Sequence, residues 1–430
     1  MITPGIVSSL IFLISLYLIF SEKLNRTITS MLGAVLMVGA GLYWGFYNQE
    51  EALAAIDFNT LGLLFGMMML VALLEPTGFF QYLAVLAGRF SNGSPVRLLI
   101  LLGIVTTVLS MFLDNVTTVV LIAPITILIS EVLGVSAIPL LMAEALLSNT
   151  GGVATLVGDP PNVLIASAAG FSFNDFLTHS LPIVIVVWFV ALGLIRYLFR
   201  KELDQVPTNK EAVFDLDPQE ALQDVPTVRK VLIVLGVAIT LFFFEEWMHL
   251  STSFIALAAA AIALVWVRPK IETSLERLEW SVLLFFSALF VMVGGLEASG
   301  VLHQLATVAL QAPDIHPAAY GVLLIWVVAI LSAVVDNIPI TIALIPIVQE
   351  LGASGMEVNP LWWALAFGAG FGGNGTLIGS TANIVVVTLS ERTHFPITSH
   401  LWNRRGLPVM IATCATASIL YLVAYPWLRQ

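Results

Sequence analysis

Leu109-Ser110-Met111-Phe112-Leu113-Asp114-Asn115-Val116-Thr117-Thr118 sits in the apolar first half of the chain. It returns as Leu331-Ser332-Ala333-Val334-Val335-Asp336-Asn337-Ile338-Pro339-Ile340, with the Asp-Asn pair kept. The matches continue on both sides in the same order. Leu74-Glu75-Pro76-Thr77-Gly78 corresponds to Leu296-Glu297-Ala298-Ser299-Gly300. Gly152-Val153-Ala154-Thr155-Leu156-Val157-Gly158 corresponds to Gly373-Asn374-Gly375-Thr376-Leu377-Ile378-Gly379, and Asn162 to Asn383. Chance likeness between apolar helices aligns Leu with Val. It does not align Glu, Asp-Asn, Gly-Thr-Gly and Asn in order. The chain is therefore an internal duplication. We expect one repeat over 1–205, a polar linker loop over 206–228, and a second repeat over 229–430.

Composition fixes the solvent. Of 430 residues, 59% are hydrophobic and only 10% charged, with a mean hydropathy of +0.97. Soluble domains carry roughly 25% charged residues. Apolar runs recur from Ile6 to Leu428, so the chain reads as a polytopic all-α membrane protein. A soluble enzyme, a nucleic-acid binder and a disulfide scaffold are disfavoured. The single cysteine, Cys414, excludes intrachain disulfides and multi-thiolate metal sites. The run from Ile6 to Phe20 lacks a basic leader and a cleavage site, and reads as the first membrane helix.

Spans are expected at about 6–22, 27–47, 60–75, 139–169 and 181–199. The second half repeats them at about 229–248, 251–267, 280–297, 361–391 and 406–427. Between the third and fourth spans lie two shorter runs in each half, 98–113 with 116–130 and 318–334 with 338–350. At about 1.5 Å per residue these reach roughly 20–26 Å, short of a ~30 Å hydrocarbon core. They read as re-entrant hairpins that turn at the Asp-Asn pairs. Five crossings per half is odd, so the halves face opposite ways: two inverted repeats of five helices, each with a re-entrant hairpin and a broken helix. This topology places Lys23, Arg26, Arg89, Arg97, Arg196, Arg200, Lys201, Lys210, Arg229, Lys230, Arg268, Lys270, Arg277, Arg392, Arg404 and Arg405 in one compartment. Of the 17 basic residues only Arg429 falls in the other. The positive-inside rule makes the first compartment the cytoplasm and puts both termini outside.

The chemistry concentrates in the duplicated polar segments. A carboxylate at membrane depth costs at least about 2.5 kcal/mol and persists where it meets water, a proton or a cation. Asp114 and Asp336 at the hairpin tips are the leading candidates for proton or cation coupling. Helix capping is the plain structural alternative. The glycine-rich segments 149–162 and 372–383 break their helices, and unwound backbone at membrane depth lines a cavity or is buried in protein. Asn115, Thr117, Thr155, Asn162, Asn337, Asn374, Thr376 and Asn383 are the expected solute-binding residues. Asp159, whose counterpart is Ser380, and Glu144, which has no copy, are further coupling candidates. A sodium site would use Asp114, Asn115, Asp336 and Asn337. Glu75 and Glu297 read as helix-end acids, Cys414 as a core residue, and the six histidines show no ligand spacing. Gly368-Ala369-Gly370-Phe371-Gly372-Gly373 fits G-x-G-x-x-G, but no strand precedes it and the dinucleotide reading fails. No Walker A sequence is present, and no cofactor is expected.

At Phe112–Thr118, Leu147–Thr155 with Gly158–Asn162, and their second-half copies, the chain resembles the ion-transporter superfamily. It is most similar to the group of arsenite permeases (ArsB), NhaD-type sodium/proton antiporters and the melanosomal P protein. The resemblance implies a homodimer with a scaffold and a moving transport domain, in which hairpins and broken helices hold the solute. Divalent-anion symporters carry Ser-Asn-Thr at these tips, where this chain has Asp114 and Asp336.

Two tip carboxylates repel citrate-like anions. They suit a cation, a proton, or a neutral polyhydroxyl such as arsenous acid. The first expectation is a secondary active exporter of arsenite or antimonite by proton antiport in the cell inner membrane. The alternatives are an NhaD-type sodium/proton antiporter and an exporter of silicic or boric acid. The loop Arg200–Lys230 is the surface a cytoplasmic ATPase partner would use. A membrane-embedded enzyme is disfavoured, because no nucleophile–base pair is evident.

Overall fold

The computed structural model describes residues 3–20, 24–304, 316–391, 393 and 396–429. Lys23 and Arg392, both counted above for topology, lie outside the described residues. The described residues form helices and no strands.

The first half contributes α1 (Pro4–Phe20), α2 (Arg26–Trp44), α3 (Phe58–Leu74), α4 (Phe79–Phe90), α5 (Pro95–Ser110), α6 (Asn115–Leu133), α7 (Ile138–Gly152), α8 (Pro160–Ala169) and α9 (Leu181–Leu198). The second half contributes α10 (Val225–Phe243), α11 (Thr252–Val267), α12 (Trp280–Ala298), α13 (Pro317–Val334), α14 (Asn337–Ala353), α15 (Asn359–Gly372), α16 (Thr381–Ser390) and α17 (Ser399–Leu428). Short helical turns fill the connections. Eight of the described helices are long and apolar enough to cross a membrane.

The expected spans match these helices to within a few residues, except that α17 starts at Ser399, seven positions before the expected 406. The breaks in 139–169 and 361–391 fall between α7 and α8 and between α15 and α16. One expectation needs correcting. One arm of each hairpin is longer than the sequence suggested: α6 has 19 residues and α13 has 18, each enough to cross on length alone. The apolar count stopped early, because polar Glu131 and the capping proline at 317 belong to the helices. Helix α4 was not anticipated, because Arg89 and the aromatic residues Phe79, Phe80, Tyr82 and Phe90 mask its short amphipathic pattern.

The helices sort into two bundles. In the first, α11 packs on α3, α12 on α2, and α1 and α10 flank them. Each half supplies three of its helices. The second bundle holds both hairpins and both broken helices, with α9 and α17 on its outside and α4 against the first hairpin. Contacts between bundles are sparser and run mainly through α12 with α14 and α3 with α8.

The hairpins open to opposite faces. The linker backbone touches both ends of the first: Thr208 N donates to Leu133 O at the end of α6 (3.1 Å), and Lys210 packs on Gly93 before α5. Helix α17 starts beside the same linker, where Arg405 pairs with Glu202, and ends on the far face at Arg429. There it meets the second hairpin's base. His316 before α13 lies against Tyr425, and Asn359 after α14 donates to Arg429 O (3.4 Å). Ser8 bonds Ser299 at 2.6 Å, which puts the start of α1 on that far face too. Both tips therefore reach inward from opposite sides and end beside the breaks, so re-entrance rests on this placement and not on arm length.

Candidate functional site

Two breaks are built from the same parts. The Asn162 side-chain amide donates to Gly152 O (3.0 Å) and Thr155 O (2.8 Å). Asn383 donates to Gly373 O (2.8 Å) and Thr376 O (2.9 Å). These carbonyls lost their helical partners at the break, and the amides replace them. Thr155 Oγ1 donates to Met111 O, and Thr376 Oγ1 to Ala333 O, fastening each break to its own hairpin. Ser110 Oγ reaches Ser148 O (2.8 Å) and Ser332 Oγ reaches Ala369 O (2.7 Å), again in equivalent places. The helices approach closely because Gly151 and Gly372 carry no Cβ: one there would lie 2.7 Å from Thr107 and 2.5 Å from Ala329.

Asn149 joins the two breaks. Its amide nitrogen donates to Asn374 Oδ1 and to Asn383 Oδ1, both at 3.0 Å. Its oxygen accepts from Asn115 (2.8 Å) and Ser380 (3.1 Å). On the other side, Asn337 Nδ2 donates to both oxygens of Asp159, at 3.0 and 3.3 Å. Each of these residues is buried.

A cavity of about 240 Å³ lies against this cluster, between the bundles. Its floor includes Asp114, Asn115, Thr117, Asp159, Asp336 and Asn337, with Ser380 and Thr381 beside them. Its rim includes Arg26, Glu75, Arg277 and Glu279, at helix ends on the linker face. Five carboxylates and two guanidinium groups line it. Arg26 pairs with Asp336 at 2.8 Å and Arg277 with Glu75 at 3.2 Å. Asp114, Asp159 and Glu279 form no salt bridge among the described residues. Thr117 connects two of the loops: its N–H donates to Asp114 Oδ1 (2.8 Å) and its hydroxyl to Glu279 Oε1 (3.2 Å). Capping thus accounts for part of Asp114. It accounts for none of Asp159 or Asp336, whose side chains accept no cap bond.

Of the twelve residues expected from sequence, the structure brings six to the cavity and leaves six off its lining. Thr155, Asn162, Thr376 and Asn383 hold backbone at the breaks. Asn374 donates to Leu146 O and Thr150 Oγ1, both at 3.3 Å, inside the protein. Glu144 is fully buried; Thr126 donates to its Oε1, and its Oε2 has no partner among the described residues. Sequence reasoning missed Arg26, Glu279, Ser380 and Thr381. Thr381 was visible beside the second break. Arg26 was counted only as a topology marker, and Glu279 was not singled out.

The model of the citrate transporter family (CitMHS) matches residues 16–368. A 46 kDa membrane protein of Mycobacterium leprae is 39% identical over 99% of both chains, and an uncharacterized transporter of Mycobacterium tuberculosis is equally similar over the same share. The human P protein is 34% identical over 95% of this chain, which spans 58% of that protein. Among solved structures, the YdaH transporter of Alcanivorax borkumensis superposes with a TM-score of 0.63 at 15% identity, over 99% of this chain and 98% of that one, which shows a shared fold. With this helical architecture and these relatives, the chain belongs to the citrate transporter (CitMHS) family of the ion-transporter superfamily and is a multi-pass membrane transporter.

Proposed function

We propose that the chain is a proton-coupled secondary transporter whose coupling groups are Asp114 and Asp159, joined by Glu279 at the mouth. The observation that carries this reading is the excess of carboxylates: three face the cavity without a salt bridge among the described residues, while both cavity arginines are already paired. Carboxylates so placed bind protons or a cation, because like charges at short range disfavour joint ionisation. The same excess opposes free citrate as cargo, although the family model bears that name.

For the solute we retain arsenite or antimonite as the neutral trihydroxide, exported against protons. Asn115, Asn337, Ser380 and Thr381 supply amides and hydroxyls suited to hydrogen-bond it. A neutral solute exchanged for a proton gains about 2.3 kcal/mol per 100 mV of membrane potential, about 50-fold accumulation. Sodium/proton antiport is the second reading. It is favoured by the oxygens of Asp114, Thr117 and Glu279, which Thr117 draws together by donating its N–H to Asp114 and its hydroxyl to Glu279. In either case the linker face is assigned to the cytoplasm of a cell inner membrane, with both termini outside, 1–205 and 229–430 as the repeats and a homodimer as the assembly.

Everted vesicles carrying the chain decide between them. Uphill arsenite uptake driven by an acid interior, lost in Asp114→Asn, supports the first reading. Sodium-triggered proton flux indifferent to arsenite supports the second. Solute movement that is normal in Asp114→Asn removes the carboxylate mechanism.

A further inference from the structure

The ion pair between Arg26 and Asp336 joins two parts of the molecule that are otherwise loosely connected. Arg26 opens α2 in the first bundle and is rooted there. Asn25 caps the helix, Thr27 Oγ1 donates to Ser281 O (2.9 Å), and the guanidinium lies 5.6 Å from the Phe285 ring centroid. Its Nη1 crosses to the second bundle, donating to Asp336 Oδ2 (2.8 Å) and Thr381 Oγ1 (3.0 Å). Thr381 Oγ1 also donates to the same Asp336 oxygen, at 3.0 Å. Asp336 and Thr381 come from the second hairpin tip and the second broken helix, so one cation of the first bundle grips both.

The grip is one-sided. The residue at the matching repeat position is Met248, which carries no charge. The other tip carboxylate, Asp114, faces the acid Glu279 through Thr117 instead of a base. The first bundle therefore attracts one tip and repels the other.

We propose that Arg26 is a latch: it neutralises Asp336 in the empty carrier and holds the second bundle against the first with the cavity toward the linker face. Release requires that Asp336 acquire another positive partner. An empty carrier then stays on one side, which is what prevents a futile return without exchange. Arg26 is a positioning residue in this scheme. The inference rests on the reading that the second bundle moves relative to the first.

Its test needs no knowledge of the cargo. Met68 lines the cavity from α3, and Cys414 is fully buried. Met68→Cys in a Cys414→Ala background, in nanodiscs, reports exposure of the cavity through its labelling rate with a membrane-impermeant maleimide. Without sodium at neutral pH, the parent is expected to label fast. Arg26→Gln and Asp336→Asn are each expected to slow labelling about fivefold, the size of effect of one partly exposed ion pair. Arg26→Lys and the exchanged pair Arg26→Asp with Asp336→Arg are expected to restore it. A purely structural role would lower the melting temperature of Arg26→Gln without changing the rate. Should Arg26→Gln label at the parental rate while pH or sodium still shifts it, the latch is refuted and the moving bundle stands. A rate indifferent to every variant, to pH and to sodium refutes both.

Discussion

Asn337 donates its side-chain amide to both carboxylate oxygens of Asp159, at 3.0 and 3.3 Å. The amide belongs to the second hairpin tip and the acid to the first broken helix. The contact therefore crosses between the repeats at an acid that has no copy, since Ser380 stands in the equivalent place. The shared design is symmetric, and the charge is not.

Removing that charge is expected to be costly for coupling and mild for folding. Asp159→Asn retains size and one acceptor for Asn337, but cannot take up a proton. Coupled flux in proteoliposomes should fall at least about tenfold, or about 1.4 kcal/mol of barrier, with the melting temperature nearly unchanged. Flux at the parental level would take Asp159 out of the coupling set.

The break clamps should behave in the opposite way. Asn162→Ala takes the amide donor from the carbonyls of Gly152 and Thr155, and Asn383→Ala from those of Gly373 and Thr376, of which Thr376 O keeps a bond from Gly379 N at 3.3 Å. At about 1–3 kcal/mol per orphaned group, both variants should lose several degrees in thermal unfolding in detergent, Asn162→Ala the more. A larger loss in Asn383→Ala than in Asn162→Ala would contradict this account of the clamps.

Glu245 provides a pH-dependent link on the face opposite the linker. It follows α10 and accepts from Phe173 N at 2.6 Å, while Asn174 donates to Phe243 O at 2.9 Å. Burial pushes its carboxyl from 4.5 to about 7; the neighbouring acids Glu246 and Asp175 add to the rise and the bond from Phe173 N opposes it. The folded state thus holds this proton more tightly than the unfolded chain. The resulting stabilisation is complete below about pH 4.5 and is lost as pH rises through about 7. Melting curves across that window should slope less in Glu245→Gln than in the parent; identical slopes would exclude Glu245 as the source.

Tyr421 offers a gain. Its ring is fully buried beside Gly321, and its hydroxyl has no hydrogen-bond partner among the described residues. Tyr421→Phe removes a stranded polar atom, and should hold or raise stability by up to about 1 kcal/mol. A clear drop in melting temperature would reveal a bond that the hydroxyl makes.

The spans, the breaks and the tip acids were legible because each is a contrast within an apolar background: a glycine run or a carboxylate stands out where neither belongs. Direction was harder to read. An Asn at a break can turn its amide toward a cavity or toward its own backbone, and the sequence does not distinguish Asn115, which lines the cavity, from Asn162, which clamps carbonyls. Arg26 and Glu279 were hidden for another reason. Charges at helix ends are common at a membrane boundary, and only the folding of the second bundle against the first places these two at the cavity rim.

Asn149 has a glycine, Gly370, at its repeat position, yet from the edge of the first interruption it bonds the second at three points. A single amide thereby welds together what gene duplication left as two independent pieces. Shifting one interruption without the other would break the three hydrogen bonds that Asn149 makes to Asn374, Asn383 and Ser380.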